Sequence, residues 1–122
     1  MSTINVRRVK ATAPHKTEAT IRVPNEQGVV EETEITIFYR GLSMADADEF
    51  PETEGLEGEE RNAAVRKQLA FLVTEIPEFV GDDHRPVETN EEFFNELDVE
   101  HLTAISGALR EARSVPTKPT NS

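Results

Sequence analysis

Three observations predict an α+β fold for this chain of 122 residues. Two stretches within the first 40 residues alternate apolar and polar side chains with the period of a strand. Between residues 65 and 76 aliphatic side chains recur at helical spacing, and two later segments each open on a helix-capping residue. Together they predict an N-terminal antiparallel β-hairpin of two or three strands, over about residues 4–40, and a C-terminal bundle of three to four short helices, over about residues 43–113. The length suits one core, so residues 1–113 are expected to form a single domain, and residues 114–122, with Pro116 and Pro119, a disordered tail.

Residues 17–23 place Ala19, Ile21 and Val23 on one face and Thr20 and Arg22 on the other. Residues 33–40 oppose Ile35, Ile37 and Tyr39 to Thr36, Phe38 and Arg40. The intervening Pro24-Asn25-Glu26-Gln27-Gly28 is turn material, which makes a hairpin the simple connection. Residues 4–9 are expected to add a weaker strand on an edge. Such a sheet needs a helix to cover its apolar face.

Ser43-Met44-Ala45-Asp46 has the form of a capping box and predicts a short helix. An acidic loop over about residues 48–60 follows, broken by Pro51, Gly55 and Gly58 and expected not to pack. From about residue 59 to 76 the pattern is helical, with Val65, Leu69, Leu72, Val73 and Ile76 on one stripe and Phe71 almost opposite; Pro77 stops it. Beyond a polar loop at residues 81–90, Thr89-Asn90-Glu91-Glu92 forms a second capping box, and Phe93, Phe94 and Leu97 share a face of the helix it opens. Asp98 is positioned to cap the last helix, whose apolar face carries Leu102, Ile105, Ala108, Leu109 and Ala112.

A formal net charge of -11 argues against nucleic acid and anionic membrane surfaces as partners, because Lys and Arg supply most of the affinity for either. The charge is uneven. Residues 1–22 carry five basic side chains against Glu18 alone, whereas residues 46–60 carry eight acids and no base. The absence of cysteine excludes disulfides and thiolate metal sites and suits a reducing cytoplasm. No apolar run approaches the roughly 20 residues that span a bilayer, and the N-terminus lacks the apolar centre of a secretory signal.

Asp82, Asp83 and His84 stand together, and Asp98 and His101 follow on a helix, but their spacing matches no metal motif. Counted from Asp82, the sixth residue of a calcium loop would be Val87 where Gly is needed, and the twelfth Phe93 where Glu is needed. His101 has no base, nucleophile or orienting group at a defined offset and reads as a half-buried, hydrogen-bonded residue. Neither enzymatic activity nor a metal or other cofactor is expected. The large hydrophobes Phe71, Phe79, Phe93 and Phe94 suit a core, with enough of them to leave a patch for a partner.

With these residues in order, residues 19–112 resemble the tail assembly chaperones of long-tailed bacteriophages. The resemblance lies in a strand pair, a segment such as Phe38-Tyr39-Arg40-Gly41-Leu42-Ser43 opening a helix, an acidic spacer and further helices, with Asp82-Asp83-His84-Arg85-Pro86-Val87 ahead of a capped helix. Where the family carries an Asp-x-Gly turn this chain has Asp83-His84-Arg85, and Phe79 stands in for the family's Trp.

The resemblance implies a non-enzymatic helper in the host cytoplasm that binds the tape measure protein, keeps it soluble, recruits tail tube subunits and is absent from the mature virion. An apolar groove for that partner is expected from Phe93, Phe94, Leu102, Ile105 and Leu109, with Phe71 as an added anchor. Association between copies of the chain is left open. Two other readings are an acidic DNA mimic that inhibits a nuclease or DNA-binding protein, and a structural tail or connector component.

Overall fold

A computed structural model describes residues 2–114. Strands β1 (His15–Pro24) and β2 (Val30–Tyr39) form the predicted antiparallel hairpin, with Pro24 opposite Val30 at one end and His15 opposite Tyr39 at the other. The Asn25 side-chain oxygen closes the turn by accepting from the backbone N–H groups of Gln27 and Val29. Gly28 takes the left-handed φ of 84° that the turn requires. The pairing sets Ala19, Ile21 and Val23 on the same face as Ile35, Ile37 and Tyr39, and this face enters the core.

The third strand is not where alternation placed it. Val6–Arg8 forms a single 3-10 turn, and Ile4, Val6 and Val9 are exposed. The Asn5 side chain accepts from the Arg7 backbone N–H at 2.9 Å, a local bond that competes with a strand ladder. The third strand is instead β3 (Val73–Glu75), which pairs with β2 through Phe38 opposite Glu75 and Tyr39 opposite Val73. Thr74 is the extra residue of a bulge between those two pairs.

Helix α1 (Met44–Ala47) starts at Ser43, whose hydroxyl accepts from the Asp46 N–H at 3.1 Å and donates to the Asp46 carboxylate at 2.8 Å. The Ser43 hydroxyl, joined by the Arg40 guanidinium at 2.8 Å, holds the Asp46 carboxyl below its ordinary range. The acidic segment that follows does pack, contrary to expectation. Phe50 meets the Phe71 ring edge-on at 5.8 Å between centroids, and the Pro51 carbonyl accepts from Gln68 Nε2 at 2.6 Å. The predicted helix from about residue 59 is α2 (Gly58–Leu72), which takes in Gly58 from the expected loop.

Helix α2 ends at Leu72 rather than at residue 76. Val73 and Thr74 are β-branched, and Ile76 precedes Pro77, which disfavours a helical Ile76. The edge of β2 offers that segment a ladder, and it leaves the helix to take it. Val73 and Ile76 are buried all the same.

The second capping residue is Asn90, one position later than predicted. Thr89 is buried with its hydroxyl donating to the Val73 carbonyl at 3.0 Å, so it is engaged elsewhere, and Asn90 accepts from the Phe93 N–H at the start of α3 (Glu91–Glu96). Asp98 caps α4 (Val99–Ser114) as predicted, accepting from the Glu100 N–H at 2.8 Å. The first residue of the predicted tail, Ser114, is the last residue of α4; the remainder, residues 115–122, lies outside the described residues.

The core joins the apolar face of the hairpin to Leu69, Val73, Ile76, Phe94, Ile105 and Leu109. Helix α4 lies against β1, whereas α2 packs on α3 and β3. At the open edge of β2, beyond the reach of β3, the Thr36 N–H donates to Glu78 Oε1 at 2.8 Å. Partial burial works against the Glu78 carboxylate, but hydrogen bonds led by that of the Thr36 N–H outweigh it and lower the pKa from 4.5.

Two outcomes follow from this packing. Phe94→Ala, at a ring only 1% exposed, should lower stability by about 3–5 kcal/mol in urea denaturation, and the half-buried Phe93→Ala by less. Glu78→Gln keeps an acceptor for Thr36 but removes the charge, and should destabilise by less than about 1 kcal/mol at neutral pH. Because the folded pKa is depressed, the wild-type advantage is full above the ordinary carboxylate value and disappears as pH falls through the lowered folded value. The two urea midpoints should therefore converge in acid.

Candidate partner-binding groove

The six residues expected to bind a partner do not form one surface. Phe94, Ile105 and Leu109 are enclosed, because α3 and α4 turn these side chains inward onto the hairpin and its flanking core. Ile105 and Leu109 are core residues, and their assignment to an open groove is corrected; Phe94 is a core residue that only borders one. Phe71 is half-buried, with the Arg40 guanidinium 4.4 Å above its ring centre and Phe50 at its edge. Phe93 is half-buried between Phe79, at 5.8 Å, and Phe94, at 5.1 Å. Of the six, Leu102 and one side of Phe94 border a groove, and Phe71 borders a separate cleft of about 410 Å³ beside Phe50 and Lys67.

That groove lies between α2 and α4 and encloses about 440 Å³. Its apolar lining is Val65 from α2, Phe94 and Leu97 from α3 and its C-terminus, and Val99 and Leu102 from α4. Val99 is 74% exposed, next to its helix cap. Periodicity had picked out Val65 and Leu97 as apolar, but not Val99, Arg61 or Arg66. Continuing the α4 stripe three residues back from Leu102 would have reached Val99. The groove otherwise opens on Arg61, Arg66 and Arg110, with Asn62, Asn95, Thr103 and Ser106 as neutral polar groups.

A larger cleft, of about 990 Å³, opens between the N-terminal turn and α1. Arg8, Lys10 and His15 border it, but Ser43, Asp46 and Arg40 are bonded to one another there, and His15 stacks on Tyr39 with its Nδ1 2.9 Å from the Ala13 carbonyl. Ser43, Asp46, Arg40 and His15 are thus already engaged there. His101, partly exposed, donates from Nε2 to the Arg22 carbonyl at 2.8 Å and so ties α4 to β1. Among the described residues no three His, Asp or Glu side chains converge as metal ligands, and no helix is long and apolar enough to cross a membrane.

The loop ahead of α3 folds back on itself. Val80 bridges to Pro86, the Gly81 N–H donates to the Arg85 carbonyl at 3.0 Å, and the Val87 N–H to the Phe79 carbonyl at 2.9 Å. His84 sits at its tip with a φ of 61°, in the left-handed region that glycine occupies with least strain.

Compared with models of protein families, with curated proteins and with solved structures, the chain matches none.

His84→Gly should relieve the strain at the loop tip and raise stability by about 0.5–1 kcal/mol, seen as a higher urea midpoint with an unchanged slope. A lower midpoint would mean that the imidazole contributes more than the strain costs.

Proposed function

We propose that the protein is a non-enzymatic tail assembly chaperone that holds an apolar helical segment of a tape measure protein in the groove between α2 and α4 and presents it to tail tube subunits. The observation that supports this reading best is a groove lined by exposed Val99 and half-buried Val65, Leu97 and Leu102 on a molecule whose net charge is -11. From Val99 to Arg110, α4 offers roughly 16 Å, or three turns, along which a docked helix could lay its i, i+3 and i+7 side chains. Strong like charge keeps loaded complexes apart while the long partner waits for assembly. The order of strands, capped helix, acidic spacer and helices, in which the chain resembles that family, points the same way.

In this role the protein acts in the host cytoplasm and leaves before the particle is finished. The test is co-expression with a tape measure protein, followed by affinity purification. A Val99→Ser/Leu102→Ser variant that keeps its circular dichroism and cooperative melting should recover at least about tenfold less partner, as expected when interface anchors are removed. Undiminished recovery by the folded variant would reject the groove. Stoichiometric copies of the protein in purified virions would favour a structural tail component, and displacement of a DNA-binding protein from DNA would favour the acidic mimic.

A further inference from the structure

The charge around the groove is opposite to that of the molecule. Of 24 Asp and Glu residues in the chain, none lines it, whereas three of the 13 Lys and Arg residues do. Arg61 and Arg66, on either side of Val65 in the chain, make no salt bridge or side-chain hydrogen bond with any described residue. Arg61 is exposed and Arg66 half-buried, and both line the groove beside its aliphatic floor. Two other arginines find acids: Arg40 binds Asp46, and Arg22 lies 4.0 Å from Glu100.

We infer that the groove selects amphipathic helices whose apolar stripe is flanked by Asp or Glu, with Arg61 and Arg66 engaging those carboxylates. This rests on the groove being the docking site for a helical partner, and it adds what the partner must look like. An aliphatic floor alone would accept any apolar helix of the right width. Guanidinium groups at its margin favour carboxylates, which they bind in fork geometry, and disfavour Lys and Arg at the same flank. The chain's own residues 115–122 fit poorly as occupant, since they carry one lysine, two prolines and no acid.

The net field of the molecule makes the test stringent, because a charge of -11 should by itself attract basic peptides. Two synthetic amphipathic peptides with the same leucine stripe, one flanked by Glu and one by Lys, are titrated against the full chain by fluorescence anisotropy. Binding in the groove is the part lost in Val99→Ser, a neutral change at an exposed position, and in Val99→Ser/Leu102→Ser.

For that part the Glu-flanked peptide should bind roughly tenfold more tightly. Arg61→Glu and Arg61→Glu/Arg66→Glu should abolish or reverse the preference, and salt of about 1 M should remove it. Equal groove binding by both peptides, or a preference for Lys, overturns the inference and leaves the docking site standing. If neither peptide's binding responds to Val99→Ser/Leu102→Ser, both fall. Should sedimentation of the protein alone reveal an oligomer that Val99→Ser dissolves, the groove is an interface between copies and the inference is overturned.

Discussion

The fold turns on the change from helix to strand between Leu72 and Val73. A helix that stops leaves its last carbonyls without intrahelical donors, and here two outside groups supply them. The Arg40 N–H donates to the Leu72 carbonyl at 2.9 Å and the Thr89 hydroxyl to the Val73 carbonyl at 3.0 Å. Arg40 follows β2 directly and Thr89 lies just ahead of α3, so these two bonds and the β3 ladder tie hairpin, long helix and C-terminal segment to one point. A single buried Thr hydroxyl thus does two things: it satisfies a helix terminus and sets where α3 begins.

From that anchor the position of the groove follows. Helix α2 is tied through β3 to one side of β2, while α4 attaches to β1 on its other side. The long helices therefore take their placement from opposite sides of the hairpin. The short α3 buries Phe94 in the core, and Leu97 at its end lines the space between them. Helix α3 is only six residues long and leaves that space open.

Much of the fold was legible because its signals are local. Alternation identified the face of the hairpin that holds Ile21, Ile35 and Ile37, and the capping roles of Ser43 and Asp98 depend on side chains one to three residues from the groups they bind. The missed elements depend on distant partners. Val73 and Ile76 continue the helical stripe of α2 and are buried in either conformation, so periodicity cannot separate helix from strand there; the available edge of β2 decides. Thr89 looks like a cap until the Val73 carbonyl, 16 residues away, claims its hydroxyl. The candidate site failed for a related reason. Periodicity reports which side chains share a face, as Leu102, Ile105 and Leu109 do, but not what lies opposite, and the hairpin covers two of the three.

The same separation of local from global applies to charge. At physiological ionic strength the Debye length is about 8 Å, so acids well beyond that distance act weakly on a docked helix. At contact range the nearest groups govern, and along the groove those are Arg61 and Arg66. The molecule can then be acidic enough to repel its own copies at a distance while it receives acidic flanks at one place. The two scales oppose each other only during approach. A strongly acidic partner should consequently associate slowly at low salt, and faster as salt screens the net charge, until screening reaches the arginine contacts themselves. A binding rate that first rises and then falls with salt is the kinetic form that this arrangement of charge imposes.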